Sequence, residues 1–486
     1  MVNSVDTFEK EELLLRQDKK LSLIAAIKQE AFFSLPFAGS RLILAAQALG
    51  YTFFIRYLNL PNLIAAAPVM FMVQQGFTGA LRGALSTVNV IVGELNGRRE
   101  LNRIGAAVNQ ALIAGAVLGV PVSLLFFFSA DLLILLGMNS SVAETVGAFL
   151  KASSYGVVPA NWAFVDQGFL LSTKKLMPAI MLNTALVAMA LGGGIAASLT
   201  IGGVQWLGYA SSLASALIFI IGRLYFLRQR AHYADYHLFQ ASLASGTSYK
   251  KIATLSFPTA LQAISEWLPT MLISVLSGLL SNGDEILEEQ EPSMQFLVIM
   301  NTLLLGLGTA ATVSTANAIG AVKRKLATMD APQLFAIQNV RMIGYANILL
   351  TLATVTLPAV VCLAYPQAII SAFSPDVTGS RFAQNALRLT GATLFADGVR
   401  NTVTGIVLGR KKGRDNFITS LSNLFVVSFL SVMSGFFLEK ELGPTSYFLM
   451  RFVGIFLMAL GLFPWWSKSF DIDGIEQNFQ SVENKK

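Results

Sequence analysis

Glu266 is the one charged residue in the run from Ile252 to Gly283, which reads IATLSFPTALQAISEWLPTMLISVLSGLLSNG. The run is long enough to cross a bilayer, whose hydrocarbon core takes roughly 20 apolar residues. A carboxylate near the middle of a span costs about 2.5–3.5 kcal/mol on insertion scales, so it calls for a partner, a water-filled cavity or a bound cation. Gln262, Glu266, Thr270 and Ser274 recur every four residues and share one helix face. Pro258 and Pro269 would bend the same helix, which suits a span that lines a cavity. A second polar face lies in ALRLTGATLFADGVRNTVTGIVLGRKK, where Thr393, Asp397, Asn401 and Thr404 align and Arg400 stands one turn from Asp397. Two neighbouring carboxylates in a low dielectric resist joint ionisation, so one takes a proton or the two share a metal cation. That is the chemistry of an ion-coupled antiporter. The competing reading is a paired, structural glutamate inside a helix bundle.

The elements that must position these residues follow from composition. Of 486 residues 54% are hydrophobic and 13% charged, against about 25% charged in ordinary soluble domains. The chain is a polytopic, all-α membrane protein in this reading. Cys362 is the only cysteine, which excludes an intrachain disulfide or a multi-cysteine metal site. His232 and His237 fall in a polar stretch and face solvent rather than a metal. No GxxxxGK[ST], HExxH, CxxC or GxSxG motif is present, so uphill work must draw on an ion gradient or on a partner subunit.

Apolar runs divide the chain into twelve spans, and the loops sort by charge. Arg98, Arg99 and Arg103, Lys174 and Lys175, Arg228 and Arg230, Lys323 to Lys325, and Arg410 to Lys412 all fall on one side; the other carries an acidic loop from Asp284 to Glu291. The positive-inside rule places the basic loops and both termini in the cytoplasm. The membrane is taken as a bacterial inner membrane by default. Arg41, Arg82, Asp166 and Arg451 also fall within spans. Arg451 sits close enough to a span end to snorkel, and Asp166 and Arg223 close enough to the cytoplasmic side to be solvated.

An internal repeat organises the spans. Pro36 in FFSLPFAG corresponds to Pro258 in LSFPTALQ, and Gly83, Val90 and Gly97 recur at one constant offset as Gly306, Val313 and Gly320. Six spans per half give both halves one orientation, a parallel repeat about an axis along the membrane normal, with the site between halves near the midplane. The expected divisions are a tail at 1–28, a six-helix bundle at 29–228, a linker at 229–250, a second six-helix bundle at 251–466 and a tail at 467–486.

Three stretches carry a family resemblance. Glu266-Trp267 followed by Ser277 to Asn282, the run from Gly308 through Asn317 to Gly320-Ala321, and Asp397 followed by Gly405, Gly409 and Lys411 resemble the seventh-, eighth- and tenth-span motifs of the multidrug and toxic compound extrusion (MATE) family. The resemblance implies two six-helix bundles around a central cleft, coupling-ion roles for Glu266 and Asp397, and export of amphipathic organic cations against H⁺ or Na⁺. The chain departs from the pattern at Tyr51-Thr52, where Asp-Thr is usual, at Met271 in place of a second glutamate, and at Arg400 in place of a glutamine.

Together these readings predict an ion-driven antiporter, not an enzyme, that works by alternating access. Glu266 and Asp397 hold H⁺ or a Na⁺ between them, and Arg400 acts as the coupling switch, because a guanidinium keeps its proton and can respond only by moving. Candidates for the substrate cavity are Gln262, Trp267, Thr270, Thr393, Asn401, Gln47 and Tyr51. Trp267 and Trp162 could meet a cation through their rings. Beyond the coupling ion no cofactor is expected. The partners are a small organic cation and the lipid bilayer, without nucleic acid, and the chain is expected to act as a monomer. A flippase for a lipid-linked or anionic substrate is the rival within the same superfamily, and an intramembrane enzyme using the two carboxylates is the rival outside it.

Overall fold

The computed structural model describes residues 21–58, 61–135, 137–138, 140–239, 249–278, 283–327, 333–410 and 413–469. Everything regular among them is helical. The first half contains α1 (Leu23–Leu58), α2 (Pro61–Leu85), α3 (Thr87–Arg98), α4 (Ile104–Phe127), α5 (Ser129–Leu135), α6 (Ser140–Ser154), α7 (Val157–Ser172), α8 (Leu176–Thr200) and α9 (Gln205–Arg228). The second contains α10 (Tyr249–Gly278), α11 (Gly283–Ala327), α12 (Gln333–Ala364), α13 (Pro366–Phe373), α14 (Arg381–Gly409), α15 (Gly413–Asn423), α16 (Ser431–Leu442) and α17 (Thr445–Ser469).

These helices make twelve spans among the described residues, since α2 with α3, α6 with α7, and α15 with α16 each form one interrupted span. Eight helical stretches among the described residues are long and apolar enough to cross a bilayer by length and composition alone. The other four spans are broken midway (α2–α3 and α6–α7) or carry the two polar faces (α10 and α14). The interruptions have local causes. Ser86 turns its hydroxyl onto the Gly83 carbonyl at 2.7 Å, and Gly156 lies so close to Ser212 of α9 that a Cβ there would come within 2.6 Å of its backbone. Between α15 and α16 the chain runs through a π-helical stretch, Leu424–Leu430.

Two sequence readings change. The acidic stretch expected as a loop from Asp284 to Glu291 forms the opening turns of α11, and Glu291 is buried there. Residues 229–239, expected as part of the linker, fold back onto the first bundle: Tyr233 and Leu238 join the core formed by Phe169, Phe226 and Ile104. Apolar side chains outside a backbone turn find cover there that a linker would not give. The rest of the expected linker to residue 248, the tail to residue 20 and the tail from 470 lie outside the described residues, as do Asn282, Lys411 and Lys412.

The repeat is visible in the packing between the two lobes. Gly83 sits against Ala260 and Ala263 of α10, and Gly306 sits against Ala38 and Arg41 of α1, the equivalent positions. At the end that carries the basic loops, Gly97 meets the Asn317 carbonyl while Gly320 meets the Glu94 carbonyl, again one contact repeated. Backbones approach there as closely as only glycine permits. Polar bonds reinforce this end: Asn96 to Asn317 at 2.9 Å, Lys323 to Glu94 at 3.0 Å and Asn347 to Glu30 at 3.0 Å each cross between lobes. At the opposite end Gln295 donates to Thr52 at 3.1 Å, and the Phe53 and Phe373 rings stack with centroids 5.9 Å apart. The lobes thus touch at both ends, with a cavity between.

Candidate functional site

The central cavity has a volume of about 140 Å³ and is walled by α1, α2 and α7 from one lobe and by α10, α11 and α14 from the other. Arg41, Arg82 and Phe164 face Glu266, Trp267 and Asn401 across it. Gln262 lines it as well, one turn from Glu266.

Glu266 is 4% exposed, and its Oε1 accepts from Gln262 at 3.0 Å, while Oε2 has no hydrogen-bond partner. From there a chain of polar groups runs deeper into the second lobe. Gln262 accepts from Asn423 Nδ2 at 3.0 Å, and Asn423 Oδ1 accepts from Arg400 at 3.2 Å. Arg400 in turn donates twice to Asp397 Oδ1, at 2.8 and 2.6 Å, and Asn401 donates to the same oxygen at 3.2 Å. Arg451 of α17 lies 3.9 Å from Asp397 Oδ2. Asp397 itself is 1% exposed and stands behind the cavity wall rather than in it.

The two carboxylates therefore share a bundle but do not touch; a guanidinium and two amides stand between them. This arrangement does not fit a Na⁺ shared by Glu266 and Asp397. Arg400 already occupies the Asp397 oxygen that such an ion would need, and no cluster of three or more acidic, histidine or cysteine side chains able to hold a metal exists among the described residues.

The other expected residues divide. Gln262, Trp267 and Asn401 do line the cavity. Thr270 and Thr393 do not: each turns its hydroxyl back onto its own helix, to Trp267 O at 3.1 Å and Leu389 O at 2.7 Å. Such back-bonding satisfies a buried hydroxyl without help from a ligand. Gln47 and Tyr51 line a separate polar cavity of about 80 Å³ inside the first lobe, which shares Arg82 and Phe164 with the central one. Tyr51 there ties α8 and α9 together, donating to Ala190 O at 3.0 Å and reaching Leu207 O at 3.2 Å. Trp162 is a packing residue, bonded to Leu112 O at 2.9 Å and set against Phe219. Arg451 does not snorkel, being 3% exposed, and Asp166 is a buried partner of Arg223 at 2.7 Å instead of a solvated group.

Asn423 and Glu30 were missed by sequence reasoning. Asn423 is an isolated amide in a weakly patterned stretch, aimed at Gln262 from the residue just before the π-helical turn. Turns of that kind re-aim side chains and recur at functional sites. Glu30 lies among charged residues near the start of α1, where it reads as solvent-facing, yet it is 3% exposed.

Comparison with known proteins gives a concordant picture. The family model described as MatE matches residues 36–195 and 258–433. The chain is 24% identical over 410 residues to a probable multidrug resistance protein NorM of Rhodopseudomonas palustris, covering 81% of this chain and 82% of that one. It is 22% identical over 449 residues to Protein DETOXIFICATION 17 of Arabidopsis thaliana, with 87% of each covered. Among solved structures, that of the eukaryotic MATE transporter AtDTX14 superposes with a TM-score of 0.81 at 16% identity, covering 92% of this chain and 98% of that chain. An outward-facing multidrug resistance MATE family transporter gives 0.78 at 15% identity, covering 93% and 99%.

Proposed function

The chain belongs to the MatE family, a multi-pass membrane transporter and not an enzyme, and on that premise we propose that it is an H⁺-driven antiporter exporting amphipathic organic cations by alternating access. Its relatives are named for multidrug resistance and detoxification. The observation that carries the coupling is the polar chain from cavity-facing Glu266 through Gln262 and Asn423 to Arg400 and Asp397. Ionised, Glu266 offers a cation a counter-charge beside the Trp267 ring. Protonated, it withdraws that charge, so the proton and the cation compete for one group and each favours a different state of the carrier.

Arg400 transmits the change. When Glu266 loses its charge, the guanidinium between the carboxylates loses one of its two attractions and settles wholly on Asp397. H⁺ fits this arrangement better than Na⁺, because a proton needs no coordination shell. The cavity lies between lobes that touch at both ends, the arrangement from which either end could open.

The test is flux in proteoliposomes. With an imposed pH gradient the purified protein should drive movement of ethidium, a Na⁺ gradient alone should not, and Glu266→Gln should abolish the driven component. Gradient-driven flux of undiminished rate in a well-inserted Glu266→Gln protein would sink the coupling role. Flux under Na⁺ alone would overturn the choice of ion.

A further inference from the structure

The backbone around the central cavity is two-fold symmetric, but its charges are not. Arg41 and Arg82 of the first lobe occupy the places that Ala263 and Leu305 hold in the second, and Glu266 occupies the place that Leu44 holds in the first; all six line the cavity. One wall therefore carries two guanidiniums and the other a carboxylate.

These charges are unspent. Arg400 and Arg451, buried within spans, and the half-buried Arg223 each face an aspartate. Arg41 and Arg82 pair with no carboxylate among the described residues. Arg41 is 8% exposed and lies over the Phe164 ring at 4.8 Å and 5.8 Å from the Phe37 centroid, a contact that offsets only part of the cost of its burial. Opposite, Glu266 Oε2 is buried without a donor. A ligand bearing only a positive charge would satisfy Glu266 and be repelled by two arginines; one bearing only a negative charge meets the converse. A molecule with both ends satisfies both walls.

We propose that the central cavity selects amphipathic zwitterions, seating an anionic group between Arg41 and Arg82, an ammonium at Glu266, and an apolar body against Phe164, Trp267 and Leu305. This rests on the transport reading above and narrows its substrate from any organic cation to one that also carries a carboxylate, sulfonate or phosphate. The coupling is unchanged, since a proton on Glu266 still removes the counter-charge of the ammonium end.

Four probes on one naphthalene frame isolate the two charges: 6-(aminomethyl)-2-naphthoic acid, its methyl ester, its N-acetyl derivative, and the N-acetyl methyl ester. Binding is measured by titration calorimetry to the protein in nanodiscs, with empty nanodiscs subtracted. The zwitterion should bind about tenfold more tightly than the ester or the N-acetyl acid. Arg82→Gln should weaken the two carboxylate-bearing probes by a similar factor and spare the ester, and Glu266→Gln should weaken the two ammonium-bearing probes, the zwitterion and the ester, and spare the N-acetyl acid. Arg82→Lys keeps the charge and should keep the preference, which separates loss of charge from loss of fold. An ester that binds as tightly as the zwitterion, or losses that ignore which charge the probe carries, would overturn the inference. Flux distinguishes it from the transport reading: movement of the ester down a pH gradient with no zwitterion preference removes this inference alone. The charge pattern in binding with no driven flux of any probe supports the site and removes the antiport reading.

Discussion

Arg400 donates from Nε and Nη2 to the same oxygen of Asp397, at 2.8 and 2.6 Å, and the pair is almost wholly buried. Asn401 adds a third donor to that oxygen. Three donors on one oxygen, with Arg451 facing the other, make a site built for a carboxylate. In the proposed mechanism Glu266, which has an oxygen free, takes the proton, and Asp397 anchors the guanidinium that responds to it.

Removing one partner of such a pair leaves a buried charge alone, which costs about 3–5 kcal/mol. Asp397→Asn should therefore lower the thermal stability of the detergent-purified protein markedly, and Asp397→Asn with Arg400→Gln should recover more than half of the loss. A double variant as unstable as the single one would show that the pair is not the source of the effect.

Asn423 joins Gln262 to Arg400, donating to the Gln262 side-chain oxygen and accepting from the Arg400 guanidinium. Asn423→Leu keeps the branched shape and cuts the connection. Substrate counterflow, which needs binding and lobe movement only, should persist within about threefold, while accumulation driven by a pH gradient should fall about tenfold. Equal losses in both assays would make Asn423 a packing residue.

Much of this was legible in the sequence. The charge of Glu266 within an apolar run, the four-residue spacing of Gln262, and the pairing of Asp397 with Arg400 one turn away all follow from helix periodicity. The repeat of Gly83 and Gly97 as Gly306 and Gly320 is legible in the sequence, whereas their place against the opposite lobe shows only in the packing. What the sequence could not show was depth and direction. Thr270 shares a face with Glu266, yet its hydroxyl bonds back to its own helix. Glu30 reads as solvated because it has charged neighbours in sequence, and the approach of α11 and α12 buries it. Asn423 is aimed by a π-helical turn that leaves no periodic signature.

Closure of the basic end depends on the glycine contacts. A Cβ at Gly320 would fall 3.0 Å from Gly97 Cα and 3.1 Å from Arg98 N, both backbone atoms that cannot swing aside. Gly320→Val should hold this end apart, so that a cysteine at Ala45 in a Cys362→Ala background labels several-fold faster from the side carrying the basic loops. Unchanged labelling would mean that the lobes separate elsewhere. Run in sided vesicles with an impermeant reagent, the same assay tests whether those loops are cytoplasmic.

Glu30 and Asn347 give an independent measure of the same closure. Asn347 Nδ2 donates to Glu30 Oε2 at 3.0 Å, and Asn347 Oδ1 accepts from Ser34 at 3.2 Å, so one amide on α12 holds two groups on α1. All three side chains are buried, and a net intramolecular hydrogen bond contributes about 0.5–1.5 kcal/mol. Glu30→Gln and Asn347→Ala should each destabilise the resting protein, and the double variant should lose less than the two losses added. The coupling should fall in that range when unfolding is followed in detergent. It should shrink toward zero in the Gly320→Val background, where the lobes no longer meet at this end. Strictly additive losses in the native background would show that Glu30 and Asn347 do not bond, and a coupling that survives Gly320→Val would show that their contact does not report on closure.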